Sequence, residues 1–518
     1  MRKPAIGLIS IGAIALALTA CSPSAGESGN AEERVMTIAM NAQPPNLDPH
    51  VSTATATASI SRNILETLLT TDGDRNVVPM LAESYETNAD GTVYTFTLRS
   101  GVTFHDGSAL DAEDVVASME RWDRLSGPGQ STFADAEWAA TDDLTVTLTL
   151  PAPSFTVPIA LSSGREQFAG IYPSEVVEAA GDDAIEDVIG TGPFMLDEWV
   201  PDQKLVLNKF DDYSPTEGPI DGLSGDRTAQ TAGLKYVFVA DASTRILGLQ
   251  TGEYDAVPEI PYDNAADVLD DPALRAGSTP GTLLNLYYNK AEGLFSNVKA
   301  RQAVDTLLDR ESIMKAAVVD DEFFALTPHM MMADQEGQWK SSVGADSYNP
   351  NDPEKAKKLL EEAGYQGETI KMIVTRDYSE AYNAAVVIQE ELQSIGATVS
   401  LDTYDWPTFS EIRNDPSAYD LTVIPNTPKN DPGSLVFMRN DFAGFTESPE
   451  LDALLQTFRN SATLEEAQSH YDELQQWFID YIPVSKIGDA YGVHATTLEV
   501  EQLPVDDSII WWAARFTE

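Results

Sequence analysis

Cysteine is almost absent: the 518-residue chain holds one, Cys21. No disulfide can form within the chain, so stability must come from packing. A cysteine-based zinc site is excluded as well. Histidine is scarce too, and His50, His105, His329, His470 and His494 form no His-Glu-x-x-His pair. Basic residues are few, 32 Lys and Arg against 83 Asp and Glu, for a formal charge of −51. A field of that sign repels a phosphate backbone, so nucleic acid is not expected as a partner. It also makes neighbouring carboxylates common by chance, so their presence alone carries no catalytic message. No Gly-x-Ser-x-Gly elbow occurs. Gly190-Thr191-Gly192 lacks the third glycine of a dinucleotide loop, and no Walker lysine follows it. Asn88-Ala89-Asp90-Gly91 is too short for a calcium loop. His105-Asp106-Gly107 sits where a strand meets a turn and is read as structural. No fixed-period repeat is present, which argues against a solenoid or an adhesive stalk.

The start of the chain is informative. Arg2 and Lys3 precede an apolar run over 5–18, and Leu18-Thr19-Ala20 stand directly before Cys21. This is the layout of a secretory signal. The run is shorter than the roughly 20 residues that a membrane span needs. Leu18-Thr19-Ala20-Cys21 resembles the lipobox of bacterial lipoproteins. That resemblance implies cleavage before Cys21 and lipid on its new N-terminus, where two or more acyl chains anchor stably. The alternative is an ordinary signal with a leftover thiol. Residues 22–33 contain no large apolar side chain and read as a flexible tether. The expected order is therefore a signal over 1–20, a tether over 21–34 and a folded body beyond.

Length alone suggests two to four lobes at roughly 100–200 residues each. Residues 35–40 read as a strand, and apolar spacing predicts a helix over 59–69. Alternation predicts strands over 92–98, 102–104 and 144–150. Asp111 can cap a helix running to Trp122, with Asp114 three positions on. Asp352 and Pro353 open another helix, which Gly364 ends. Strands over 369–375, 397–403 and 419–424 alternate with a helix over 380–395, predicting a parallel βαβ unit.

One ordered block has a stronger message. It runs Pro79-Met80-Leu81-Ala82-Glu83-Ser84-Tyr85, then 90–99 from Asp90-Gly91-Thr92, then Gly101-Val102-Thr103-Phe104-His105-Asp106-Gly107 and Ala112-Glu113-Asp114-Val115-Val116. It resembles the family 5 solute-binding proteins of ABC importers, the dipeptide, oligopeptide and nickel group. Leu47-Asp48-Pro49, Gly190-Thr191-Gly192-Pro193-Phe194, Leu249-Gln250-Thr251-Gly252-Glu253 and Arg301-Gln302-Ala303-Val304 extend the match. The resemblance implies an α/β, two-lobed periplasmic-binding-protein-like fold with mixed sheets, an extra subdomain and a ligand cleft between lobes. Lobe I would comprise 35–279 plus 487–518, with the subdomain near 53–172, and lobe II would comprise 280–486. Crossing strands would pass near 284–289 and 483–486. It further implies a monomeric, non-enzymatic receptor without cofactor or metal. The receptor would take a small solute, chiefly peptide, and hand it to a membrane permease driven by separate ATPase subunits. A secreted hydrolase is the rival class.

Ligands in open parallel sheets bind beyond the carboxyl ends of strands. Three predicted strands end in Arg376-Asp377-Tyr378, in Tyr404-Asp405-Trp406 and in the 425–432 loop. Arg376 could clamp a carboxylate bidentately, as the family's dipeptide binders imply, or pair on the surface with Asp377 or Glu380. Trp406 is a ligand wall or a core residue. Tyr404, Asn426, Lys429 and, from the first lobe, Thr53 complete the candidates. The family's peptide binders place an aspartate four residues before the Asp-Pro proline, to meet the peptide amino group. Here that position is Pro428, with Asp431 and Asp405 as possible replacements. Opines, oligosaccharides and metal chelates therefore stay open beside peptides.

Overall fold

Residues 35–40 alternate buried and less buried side chains before turning wholly inward, and they sit at the middle of the principal sheet. The computed structural model describes residues 31–133, 135–318, 320–335, 338–345, 348–506 and 508–517. The expected signal, Cys21 and most of the expected tether lie outside the described residues. Ten strands run through the principal sheet. They are β1 (Val35–Met40), β2 (Phe194–Val200), β3 (Lys204–Lys209), β4 (Gly233–Phe238), β5 (Ala256–Ile260), β6 (Leu274–Tyr288), β7 (Thr369–Thr375), β8 (Thr398–Tyr404), β9 (Leu421–Asn426) and β10 (Val484–Thr497). Their order is β8-β7-β9-β6-β10-β5-β1-β4-β3-β2, with the short strand Phe324–Ala325 pairing off this path on β10. Parallel and antiparallel pairs are mixed, as expected. A separate four-stranded antiparallel sheet holds Ala82–Thr87, Val93–Leu98, Thr145–Thr149 and Glu137–Asp142 in that order.

The βαβ expectation is met. β7 pairs in parallel with β8 from Thr369↔Thr398 to Thr375↔Tyr404, and in parallel with β9 at Met372↔Leu421. The connecting helix, Ser379–Ser394, buries Ala381, Ala384, Ala385, Ile388 and Leu392, a stripe at helical spacing that faces the sheet. Asp352 caps Pro353–Glu362 by accepting from the Lys355 amide. Asp111 and Asp114 complete a reciprocal capping box on Ala112–Leu125. The expected crossing segments are neighbours: β6 and β10 pair over almost their whole lengths, including Asn285↔Lys486 and Tyr287↔Val484.

Two expectations are corrected. The predicted helix over 59–69 is a shorter one, Thr55–Ser61. Ile64, Leu65 and Leu68 are buried as their spacing required, but the backbone beyond Ser61 is claimed from elsewhere. The Asn63 and Ile64 carbonyls accept from the Phe194 and Gly192 amides. Gly190 and Gly192 pack flush there, and a Cβ on Gly190 would lie 2.0 Å from the Ile64 carbonyl oxygen. The strand predicted over 102–104 is reduced to an isolated bridge, Thr103↔Ala109.

The core around β1 to β4 is finished by distant residues. Met36, Ile38, Leu205 and Tyr236 pack with Ile509, Trp511, Trp512 and Phe516. Arg227 stacks over Trp512 at 4.7 Å, and Tyr236 meets Trp511 edge-on at 6.3 Å.

Candidate functional site

β7, β8 and β9 point their carboxyl ends the same way, because all three are mutually parallel. The expected site lies beyond those ends. Arg376 follows β7 and is exposed. Its guanidinium lies 4.7 Å over the Tyr382 ring, and its Nη2 donates to the Tyr382 hydroxyl at 3.1 Å. Asp377 instead accepts from the Trp406 amide at 2.7 Å, which ties the ends of β7 and β8 together. Tyr404 and Trp406 are half-buried and pack against one apolar cluster. The Trp406 ring is edge-on to Tyr378 at 4.9 Å.

Asn426 ends β9 and is buried. Its amide oxygen accepts from Asn285 Nδ2 at 2.8 Å and from the Tyr287 hydroxyl at 2.7 Å, joining β9 to β6. Lys429 is half-buried. Its loop is fixed through the main chain: the Lys429 carbonyl accepts from Gln335 Nε2 at 2.7 Å, and the Asn430 carbonyl from the Trp339 indole at 2.9 Å. Thr53 is exposed in the loop before Thr55–Ser61.

The suggested replacements for an acid at 428 have local duties. Asp405 caps Trp406–Ile412 by accepting from the Thr408 amide. Asp431 accepts from the Ser434 hydroxyl at 2.6 Å, and burial raises its carboxyl. Pro428 itself is buried.

Arg413 is the residue that sequence reasoning missed. It caps Trp406–Ile412 at its carboxyl end. Its guanidinium lies 5.3 Å from the Trp406 ring centre, 6.0 Å from that of Phe409 and 5.0 Å from that of Phe442. Burial lowers its pKa, against the pull of Tyr287, Tyr419 and Tyr378. Its Nε is enclosed without an acceptor among the described residues. A buried donor left unmatched is costly. The sequence signal was there, since Trp406, Phe409 and Arg413 fall at i, i+3 and i+7 on one helical face.

An acid lies nearby. Burial raises the half-buried Glu380 carboxyl, and the Glu259 carboxylate on β5 raises it further. Tyr378 feels Glu380, Arg413 and Glu259 together. The region thus offers one caged cation, two carboxylates that repel each other and several aromatic faces. His105 is structural: its Nδ1 accepts from the Gly190 amide at 3.2 Å, and its Nε2 lies 2.9 Å from the Gly192 carbonyl. Among the described residues, no group of three or more His, Cys, Asp or Glu side chains is placed to hold a metal.

A mixed sheet joined through two long crossing strands, with polar and aromatic side chains beyond parallel strand ends, defines a binding protein of the two-lobed periplasmic class. The family described as bacterial extracellular solute-binding proteins, family 5 (middle) matches residues 76–443, and the chain belongs to it. It is 29% identical over 487 residues to a probable peptide ABC transporter periplasmic-binding protein of Sinorhizobium fredii, covering 88% of this chain and 90% of the relative. It is 29% identical over 440 residues to the dipeptide-binding protein of Escherichia coli, covering 77% and 76%. Among solved structures, CtaP of Listeria monocytogenes superposes with a TM-score of 0.82 at 22% identity, covering 94% of this chain and all of that one. AgaA of A. tumefaciens in complex with agropinic acid superposes at 0.71 with 25% identity, covering 93% and 99%. Among the described residues, no helix is long and apolar enough to cross a membrane.

Proposed function

We propose that this protein is the solute receptor of an ABC importer, capturing a short peptide and presenting it to a membrane permease powered by separate ATPase subunits. The observation that carries the ligand end of this reading is Arg413, a guanidinium in an aromatic cage with an unmatched Nε. A ligand carboxylate supplies the missing acceptor and a charge-assisted bond. With proline at 428, the peptide amino group turns to Glu380 and Glu259. Trp406, Tyr404 and Tyr378 give the flat apolar walls that small-ligand sites use. Asn426, Lys429, Arg376 and Thr53 form the outer shell of the same cleft.

In this reading lobe I comprises 35–279 and 487–518, with its subdomain near 53–172, and lobe II comprises 280–486. The receptor acts as a monomer, without covalent chemistry, cofactor or metal; ligand burial and hinge closure drive capture. Lipid on Cys21 holds it at the outer face of the cell membrane.

A carboxylate-bearing non-peptide solute such as an opine is the second reading. Pro428 favours it, as does the local commitment of Asp405 and Asp431. The test is native mass spectrometry of the protein lacking its first 21 residues, followed by thermal shift with free and N-acetylated di- to pentapeptides. A melting rise with free peptides, lost on acetylation, supports the peptide reading. Indifference to every peptide together with a shift for opines overturns it.

A further inference from the structure

The helix Thr156–Ser162 and the residue before it are apolar on two sides. Val157 and Leu161 lie in the core of the four-stranded sheet. Phe155 and Ile159 lie in a different core, with Trp339, Leu435 and Phe458. All four are buried, Ile159 being the most exposed at 7%. Each pair is four residues apart and so shares a helix face. An ordinary surface helix buries one stripe; this one is buried by two separate bodies of the protein.

The second contact has an apolar centre and a polar rim. Phe155 meets Phe458 edge-on at 5.0 Å and Trp339 at 6.3 Å. Its amide donates to the Ser461 carbonyl at 3.2 Å. Arg75 pairs with Asp334 at 2.7 Å, with side chains 13% and 23% exposed. Asn430 Nδ2 donates to the Ser163 hydroxyl at 3.2 Å. A Cβ built on Gly91 would lie 3.6 Å from that of Ala462. Every contact joins a residue before 170 to one after 330, and the four-stranded sheet shares no strand with the principal sheet. Centre and rim of this kind mark an interface between separately folded bodies, and small interfaces within one chain open readily.

We propose that Phe155 and Ile159, rimmed by Arg75–Asp334 and Ser163–Asn430, form an interlobe clasp that sets how much of the protein is closed. This rests on the two-lobed receptor reading above. A ligand that binds only the closed form has its apparent affinity reduced by the open fraction. The clasp residues therefore set affinity for all ligands alike while bonding to each other rather than to solute.

Closure can be read without a ligand. A chain lacking its first 21 residues has no cysteine. Gly91→Cys with Ala462→Cys places two Cβ atoms near the usual disulfide separation of about 3.8 Å. Gly91 has φ +67°, so the reduced double variant provides the baseline for melting. The rate of cross-linking by oxidised glutathione then reports the closed population. Phe155→Ala should slow it on the order of a hundredfold, and Arg75→Ala about two- to fivefold. Arg75→Asp combined with Asp334→Arg should restore the rate. Should Phe155→Ala unfold, the Arg75 series decides alone. Equal rates in all variants, or no recovery in the exchanged pair, would overturn the clasp. Failure of every solute screen with an intact cross-linking pattern would sink the receptor reading and leave the clasp standing.

Discussion

The Arg121 guanidinium lies 2.7 Å from the Asp48 carboxylate, and the two side chains are 1% and 0% exposed. Asp48 also accepts from the His50 and Ile185 amides and from the Tyr172 hydroxyl. Burial alone would push its carboxyl up, but the Arg121 hydrogen bonds and the neighbouring charges hold it below the usual range. The pair ties the loop after β1 to the helix Ala112–Leu125. Removing the cation leaves an uncompensated buried charge. Arg121→Ala should therefore cost about 3–5 kcal/mol of unfolding free energy. Urea denaturation at neutral pH measures it, and a loss under about 1 kcal/mol would show that the pair can be relieved locally.

His494 on β10 makes stability depend on pH. Burial holds its imidazole down at about 4, from an ordinary 6.5. The unfolded chain binds a proton below 6.5 that the folded chain refuses until about 4. The folded value is depressed, so this contribution is present above pH 6.5 and disappears as pH falls towards 4. The slope is about 1.4 kcal/mol per pH unit within that window. His494→Gln should lose less stability than the parent between pH 7 and 4.5 in paired denaturation curves. Parallel losses in the two proteins would refute this.

At the ligand end, Arg413→Gln should weaken a carboxylate-bearing solute by about 1.5–3 kcal/mol, the range for the charge-assisted, enclosed bond proposed above. Arg376→Ala should cost under about 0.5 kcal/mol, since exposed charges contribute little. Titration calorimetry of both variants with one solute ranks them, and the reverse order would return the anchor to Arg376.

On the lipid anchor proposed above, Cys21→Ala should release the protein from membranes into the extracellular fraction, because stable anchoring needs the acyl chains. Cell fractionation followed by immunoblot decides it. Retention of the variant in the membrane pellet would exclude a lipid on this residue.

The sheet that carries the candidate site was legible in sequence for a simple reason. Strong punctuation surrounds its elements: Asp352 and Pro353 open one helix, and Gly364 and Gly396 take positive φ where helices end. Alternation and helical stripes then needed no outside help. The 59–69 segment failed because its periodicity was real but its carbonyls were taken by Gly192 and Phe194, a contact that no local rule contains. Arg376 drew notice from its place at a strand end, yet its neighbour on the following helix, Tyr382, supplies both its hydrogen bond and its stacking surface. Arg413 went unread although Trp406 and Phe409 stand on its own helical face, because helical spacing does not show that Phe442 closes the third side. Phe155 and Ile159 drew no notice in the sequence; periodicity tells that a side chain is buried, not which body buries it.

The closing of the first core by Trp511 and Trp512 has a consequence for how the chain is made. Arg62 donates to the Ile509 carbonyl across 447 positions of sequence, and Tyr236 meets Trp511 of the same closing stretch. A ribosome must deliver nearly all of the polypeptide before that half can lock. Until then the strands of that core lack the apolar cover that Trp511, Trp512 and Phe516 supply.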